Sequence, residues 1–248
     1  MAPRNNSGGG QTEGYLLAGR VRYAQPREGF RSGLEPVLLA AAIPAGPGTR
    51  VVEGGSGAGA ALLCLAARVP DITATGLEQD PLLVEIAQRN AAANGFCSLR
   101  FLAGDIAAAA SLGEFEHACA NPPYHAGGGT ASPNPSRRAA KRGSAGLMSI
   151  WAAALAAPLR PRGTLTFIVT TARMPEALTA FGNAGCPPVG ALPLWPRAGV
   201  PPKLLLLRGV KGSRAPFRIL PGLVLHAPGG GFTKEADAIL RGGGALEF

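Results

Sequence analysis

Residues 50–60 read Arg50-Val51-Val52-Glu53-Gly54-Gly55-Ser56-Gly57-Ala58-Gly59-Ala60. The apolar run at the start predicts a buried strand, and the glycines at alternate positions after it predict a tight turn. Glycines at such a turn also let a bound molecule approach the backbone closely. Residues 60–69 are apolar and helix-forming, and Pro70 ends them. The stretch therefore predicts a strand, a glycine turn and a helix, the unit with which many open α/β sheets begin.

Downstream of this stretch, short apolar runs alternate with helical patterns as far as about residue 210. That alternation is typical of a parallel sheet with crossover helices. The last apolar run follows a proline-rich bend with little helix before it, so we expect its strand to be antiparallel. We predict an α/β, Rossmann-like fold with a seven-stranded, mostly parallel sheet. Strands are predicted over 50–53, 72–78, 98–102, 115–120, 164–170, 189–194 and 203–210, and helices over 60–69, 80–94, 145–159 and 175–184.

The chain has 248 residues, of which 46% are hydrophobic, enough for a well-buried core. We interpret residues 1–14 as a disordered leader and 15–248 as one domain, with a cofactor core at about 46–210 and an extension at 211–248. In that extension, a strand at 223–225 and a helix at 234–240 are expected to pack on the sheet edge. No apolar run reaches the ~18 residues of a membrane span, and the N-terminus lacks a secretory signal. We therefore expect a cytoplasmic protein with no membrane partner.

The charge and the cysteine content limit the kinds of partner and of site that we expect for this chain. The 24 basic residues exceed the 15 acidic ones and give a net charge of +9. Such a surplus favours a polyanionic partner, although an arginine-rich composition alone would give a similar value. The four cysteines are scattered without paired spacing, so neither a metal site nor a disulfide framework is predicted. Nothing in the sequence specifies an oligomeric state.

Acidic residues follow three successive predicted strands. The glycine turn also fits a dinucleotide fingerprint, but a carboxylate at Glu53 would repel a pyrophosphate and attract the ammonium group of a methionine moiety. Glu78 is placed to accept ribose hydroxyls, and Asp105 to accept from the adenine amine. Each of the three acids could instead cap the helix that follows it. Together they predict S-adenosyl-L-methionine as cofactor, bound by Glu53, Gly55, Gly57, Gly59, Glu78, Asp105, Ile106 and Asn121.

The turn Asn121-Pro122-Pro123-Tyr124 follows the fourth predicted strand, at the edge where open α/β sheets bind ligands. Two prolines make the turn rigid and remove two backbone donors. The Asn121 side-chain carbonyl and the Pro122 backbone carbonyl remain as acceptors for a planar NH2 group. Tyr124 offers a face on which a base or an amide can stack. We predict that these four residues form the catalytic turn.

The order of glycine turn, acidic residues and Asn-Pro-Pro-Tyr resembles the class I methyltransferases that modify nitrogens of adenine, cytosine or glutamine. Within these, the chain looks most like the bacterial tRNA(Val) adenine-N6 methyltransferase family, on residues 30–40, 135–142 and 207–226. Glu53 stands where that family more often has aspartate. The resemblance implies a class I methyltransferase fold and an S-adenosylmethionine-dependent enzyme that methylates the exocyclic N6 amine of adenine in RNA, with tRNA as substrate.

Four cations follow the catalytic turn in a loop rich in proline and serine, and they could grip the phosphates beside a base swung into the site. A solvated start of a helix would look the same. We predict that nucleic acid is bound by Arg137, Arg138, Lys141 and Arg142. A second, weaker basic cluster comprises Arg208, Lys211, Arg214 and Arg218.

Two alternatives remain open. A protein glutamine methyltransferase uses the same four-residue turn on an amide, but that family usually carries a helical domain before the cofactor core. Here only about 50 residues precede Val51. The second alternative is an RNA-binding protein without catalysis on the same scaffold, against which the intact Asn121 and Tyr124 argue.

Overall fold

The computed structural model describes residues 10–27, 33–123 and 146–248. These residues form eleven strands, six α-helices and three short 3-10 turns. The strands are β1 (Gln11–Leu16), β2 (Val21–Pro26), β3 (Arg50–Gly54), β4 (Thr73–Glu78), β5 (Leu99–Ala103), β6 (Phe115–Ala120), β7 (Leu159–Thr170), β8 (Pro188–Trp195), β9 (Leu204–Val210), β10 (Arg218–Ile219) and β11 (Leu223–Val224). The helices are α1 (Glu35–Ala42), α2 (Ala60–Arg68), α3 (Pro81–Ala93), α4 (Leu147–Ala156), α5 (Met174–Asn183) and α6 (Lys234–Leu240).

Seven strands form the central sheet in the order β8–β9–β7–β6–β3–β4–β5. The neighbours from β7 to β5 run parallel, whereas β9 is antiparallel to both β7 and β8. The predicted fold class, a mostly parallel sheet with a final antiparallel strand, is confirmed. The C-terminal extension adds β10 and β11 to the outer edge of β8, both parallel to it.

The sheet is covered on both faces, and neighbouring residues of one strand serve different faces. On β7, Phe167 and Val169 pack with α4 and α5, whereas Ile168 packs with α1 and α2. Leu206 and Leu207 of β9 divide in the same way. Because both faces are buried, these strands are continuously apolar in sequence and do not alternate. None of the helices in the described ranges is long and apolar enough to span a membrane.

An antiparallel hairpin, β1–β2, precedes the sheet and was not predicted. Its first strand begins at Gln11, inside the segment 1–14 that we expected to be a disordered leader. The connection carries Leu17 and Ala18 at φ of +49° and +52°. Leucine and alanine rarely adopt that conformation, and Gly19, the third residue of the connection, has φ of +98°. A single glycine after an apolar Leu-Leu-Ala run is a weak indication of a hairpin turn.

The predicted boundaries hold closely around the glycine turn and less well near β7. The helix predicted over 80–94 is α3, where Asp80 caps the first turn by accepting from the Leu82 N–H at 2.9 Å and Pro81 takes the first helical position. By contrast, the helix predicted to reach residue 159 ends at Ala156. β7 begins at Leu159, five residues earlier than expected, because Leu159 pairs with Phe115 ahead of a shift in register.

Candidate active site

A cleft of about 690 Å³ opens where the parallel strands β3, β4, β5 and β6 end. Its volume is typical of a small-molecule site, and its place at the carboxyl ends of the strands is where open α/β sheets bind ligands. The cleft brings together most of the residues that the sequence singles out: Glu53, Gly55, Gly57, Glu78, Asp105, Ile106, Asn121 and Pro123.

The glycine turn lies along one wall of the cleft. Gly55, Gly57 and Gly59 have φ of +63°, +54° and +88°, the left-handed region that favours glycine. The Gly57 N–H donates to Glu78 Oε2 at 2.9 Å, which ties the turn to the end of β4. Gly59 does not line the cleft. A Cβ there would lie 2.8 Å from the Phe101 ring, so Gly59 is placed for close packing of α2 on β5.

Glu53 differs from the other acidic residues of the cleft because its side chain is buried. It is 4% exposed, and its Oε2 has no hydrogen-bond partner among the described residues. Burial raises the pKa of its carboxyl well above the usual range, and the charge of Glu78 raises it further. A hydrogen bond from the Leu62 backbone N–H opposes both effects. A buried carboxylate without a partner is costly, and a bound cation would supply the missing one.

Glu78 and Asp105 have partners already. Glu78 Oε1 accepts from the Asp80 N–H at 3.0 Å, in addition to the bond from Gly57. Asp105 Oδ1 accepts from the Ala107 N–H at 2.9 Å and Oδ2 from the Gln79 amide at 2.7 Å. Both residues therefore shape the backbone around the cleft, and Asp105 also caps the 3-10 turn Ile106–Ser111. A carboxylate oxygen has two lone pairs, so each can still accept from a ligand.

The candidate reactive turn begins directly after β6. Asn121 and Pro123 line the cleft, whereas Pro122 is buried and does not. The Pro123 carbonyl accepts a hydrogen bond from Arg173 Nη1 at 3.3 Å. Tyr124 lies outside the described residues, as do Arg137, Arg138, Lys141 and Arg142. Their roles stay predictions.

Sequence reasoning missed two other walls of the cleft. β2 contributes Tyr23, Gln25 and Pro26, and α4 contributes Leu147, Ile150 and Trp151. Two asparagines one turn apart, Asn90 on α3 and Asn94 at its C-cap, bond the backbone of β2 as a neighbouring strand would. Asn90 bonds both the N–H and the carbonyl of Ala24 at 2.9 Å, and Asn94 does the same to Arg22 at 2.8 Å. In the sequence, the spacing Asn90-x-x-x-Asn94 could have indicated this contact, because residues four apart lie on the same side of a helix.

The second basic cluster contains two residues that bond to the backbone and two that are exposed. Arg208 is buried, donates to the Ala42 carbonyl and lies over the Phe248 ring at 4.1 Å. Burial lowers its pKa to about 10. Lys211 donates to three carbonyls at the C-terminal end of α4 and the start of β7. Arg208 and Lys211 therefore stabilise the fold, and only Arg214 and Arg218 of that cluster remain exposed.

Comparison with known proteins identifies the class of enzyme. The family model of the methyltransferase small domain matches residues 36–149. A predicted O-methyltransferase from Agrobacterium tumefaciens, of known crystal structure, is 25% identical, with a TM-score of 0.70 over 86% of this chain and 98% of that one. The chain is an S-adenosylmethionine-dependent methyltransferase.

Two more distant structures share the fold of the methyltransferase. A precorrin-6y C5,15-methyltransferase from Geobacter metallireducens is 10% identical, with a TM-score of 0.55 over 77% of this chain and 93% of that one. A putative methyltransferase from Thermoplasma acidophilum is 15% identical, with a TM-score of 0.52 over 70% and 72%. No curated protein is significantly similar in sequence.

The cleft of the methyltransferase fits its cofactor, S-adenosyl-L-methionine. Two buried oxygens at the glycine turn, Glu53 Oε2 and Ser56 Oγ, have no partner among the described residues. Glu53 would accept from the ammonium group of the methionine moiety, and Glu78 would accept from the ribose hydroxyls. Ile106 and Leu82 would give apolar contacts to a ring. No group of acidic, histidine or cysteine residues in the described ranges is arranged to hold a metal ion.

Proposed function

We propose that this methyltransferase transfers a methyl group to the exocyclic N6 amine of adenine in RNA, with tRNA as its substrate. The observation that supports this most is the position of the Asn121-Pro122-Pro123 turn. It follows the end of β6, and Asn121 and Pro123 face the same cleft as the glycine turn. An acceptor nitrogen held by this turn would therefore lie within the pocket that holds the methyl donor.

The chemistry of the turn suits an NH2 group. Pro122 and Pro123 have no N–H, so the turn presents carbonyl oxygens as acceptors and few donors. Asn121 lines the cleft, and its side-chain carbonyl would take one hydrogen of a planar amine, while a backbone carbonyl of the turn would take the other. The nitrogen lone pair is then directed out of the plane. The cofactor, when bound, supplies an electrophilic methyl group. The protein's part is to orient the amine in line with it, and orientation of this kind removes a large part of the barrier.

RNA as the substrate is supported by charge and by the resemblance of the sequence. The net charge of +9 favours a polyanion, and the basic residues at 137–142 follow the reactive turn in the sequence. A target adenine would have to be extruded from its stack before it could enter the cleft. Tyr124 would then stack on the base, and the loop would hold the neighbouring phosphates.

Mass-spectrometric nucleoside analysis of tRNA from cells with and without the gene tests this proposal. We expect N6-methyladenosine to disappear from one tRNA without the gene and to return with the wild-type gene but not with Asn121→Ala. The Agrobacterium structure is described as an O-methyltransferase, so 2′-O-methylated nucleosides are measured in the same digest. The proposal would be contradicted if the cells without the gene lost a ribose methyl group instead, if they lost methylation of a protein glutamine instead, or if no methylated product changed.

A further inference from the structure

Arg173 connects the end of one strand to the reactive turn of the next. It closes the 3-10 turn Thr171–Arg173 after β7 and precedes α5. Its Nη1 donates to the Pro123 carbonyl at 3.3 Å. Its Nε and Nη2 donate to the two carboxylate oxygens of Glu176, each at 3.0 Å. The side chain of Arg173 is only 18% exposed, and it does not line the cleft.

The contact from Arg173 is important because the turn has few backbone groups that can bond to a neighbouring element. β6 ends at Ala120, where its ladder to β7 also ends. Pro122 and Pro123 have no N–H with which to continue that ladder. Only their carbonyls can be bonded to a neighbouring element, and Arg173 bonds one of them. Asn121 and Pro123 line the cleft, whereas Arg173 does not.

Glu176 makes the contact directional. It lies in the first turn of α5, where a carboxylate is favoured by the helix dipole. The two parallel bonds from Arg173 fix the plane of the guanidinium, as bidentate pairs do. The remaining nitrogen, Nη1, is then aimed at Pro123. Lysine has a single point charge at the end of a flexible chain, so it cannot make this three-point arrangement.

We propose that Arg173 is a positioning residue for methyl transfer, holding the Asn121-Pro122-Pro123 turn at its working distance from the cofactor, with Glu176 fixing the guanidinium. The proposal rests on the proposed function, because it assumes that the turn orients the acceptor. Arg173 does not itself line the cleft. Its effect should therefore be on turnover and not on cofactor affinity.

The test compares Arg173→Met, Arg173→Lys and Glu176→Gln with Arg160→Met. Arg160 is a matched control because it lies at the start of β7, the strand that Arg173 follows, and pairs with two carboxylates, Glu114 at 3.3 Å and Glu116. It does not line the cleft. Three quantities are measured for each variant: kcat for methyl transfer to tRNA, the affinity for S-adenosylmethionine by calorimetry, and hydrogen exchange of the peptide containing Ala120 and Asn121.

We expect Arg173→Met to lower kcat by about 10- to 100-fold, since a displacement of about 1 Å can cost that much. Arg173→Lys should recover little, and Glu176→Gln should fall between Arg173→Met and wild type. Cofactor affinity should stay within about twofold. Hydrogen exchange of the turn should accelerate in these variants and not in Arg160→Met.

The exchange measurement separates this proposal from the proposed function, because it needs no substrate. If wild type fails to methylate RNA but exchange at the turn still accelerates, the substrate is wrong and the contact stands. The positioning role would be overturned if Arg173→Met left either hydrogen exchange at the turn or kcat unchanged. It would also be overturned if kcat, cofactor affinity and melting temperature all fell in parallel.

Discussion

Replacing Glu53 with glutamine removes one charge from the cleft and keeps the volume of the side chain. Glu53 is buried, and its Oε2 lacks a partner that the ammonium group of the cofactor can provide. A hydrogen bond to a charged group contributes about 1.5–3 kcal/mol. We therefore expect Glu53→Gln to weaken S-adenosylmethionine binding by about 10- to 150-fold.

The same variant should change how binding depends on pH. The pKa of Glu53 in the free protein is raised by burial and by Glu78, so below that pKa the carboxyl carries a proton. A bound ammonium group favours the charged form and lowers the pKa. Binding therefore releases a proton, and the affinity increases as pH rises toward the raised pKa. Calorimetry in buffers of different ionisation enthalpy measures that proton directly.

Stability should respond in the opposite direction. The folded pKa of Glu53 lies above the unfolded value of about 4.3. Between these two values the folded state binds more protons than the unfolded state, so the free energy of unfolding falls as pH rises through that window. Glu53→Gln should lack this fall and melt at a higher temperature at neutral pH. Wild-type affinity and wild-type proton release in the variant would refute the assignment.

Four further predictions concern the cofactor wall and the basic residues. Alanine is strained at both Gly57 and Gly59 because both have a positive φ. At Gly57 the added Cβ meets no protein atom and the residue lines the cleft, so Gly57→Ala should weaken cofactor binding more than it lowers the melting temperature. Gly59→Ala should do the reverse, since its Cβ meets the Phe101 ring; calorimetry and thermal unfolding separate the two. Glu78→Gln should weaken cofactor binding by less than Glu78→Ala, because the alanine variant also loses the hydrogen bond to the Gly57 N–H. Equal losses of affinity would show that this hydrogen bond does not support binding. Lys211→Met should lower the melting temperature but leave RNA affinity unchanged, as it breaks three bonds at the end of α4. Reversing the arginines of 137–142 should abolish RNA binding without affecting the fold.

The sequence predicted those parts of the site that depend on local chemistry. Glu53, Glu78 and Asn121 were placed correctly at strand ends because apolar runs define strands and the next polar residue falls at the sheet edge. The helix predicted from residue 80 begins there, because Asp80 caps it and Pro81 occupies its first position. The same local logic assigned Gly59 to the cofactor, although only its distance from Phe101, on another strand, shows the packing role.

The parts that were missed depend on contacts between distant segments. Trp151 reaches the cleft because its ring packs against Gly55, nearly 100 residues earlier in the chain. The hairpin is held by Asn90 and Asn94 of α3 and not by its own turn residues. Arg208 and Lys211 resembled a surface cluster until their backbone partners were known. Charge alone does not reveal which cation is buried.

The most direct test of the central claim is single-turnover methyl transfer by Asn121→Ala to unmodified tRNA. If Asn121 orients the acceptor amine, its contribution is needed most in the transition state. We expect kcat to fall by about 10²–10³-fold, comparable to loss of one preorganised polar group. KM and the affinity for S-adenosylmethionine should change by much less. Near-normal turnover in Asn121→Ala, with N6-methyladenosine still formed, would contradict the account.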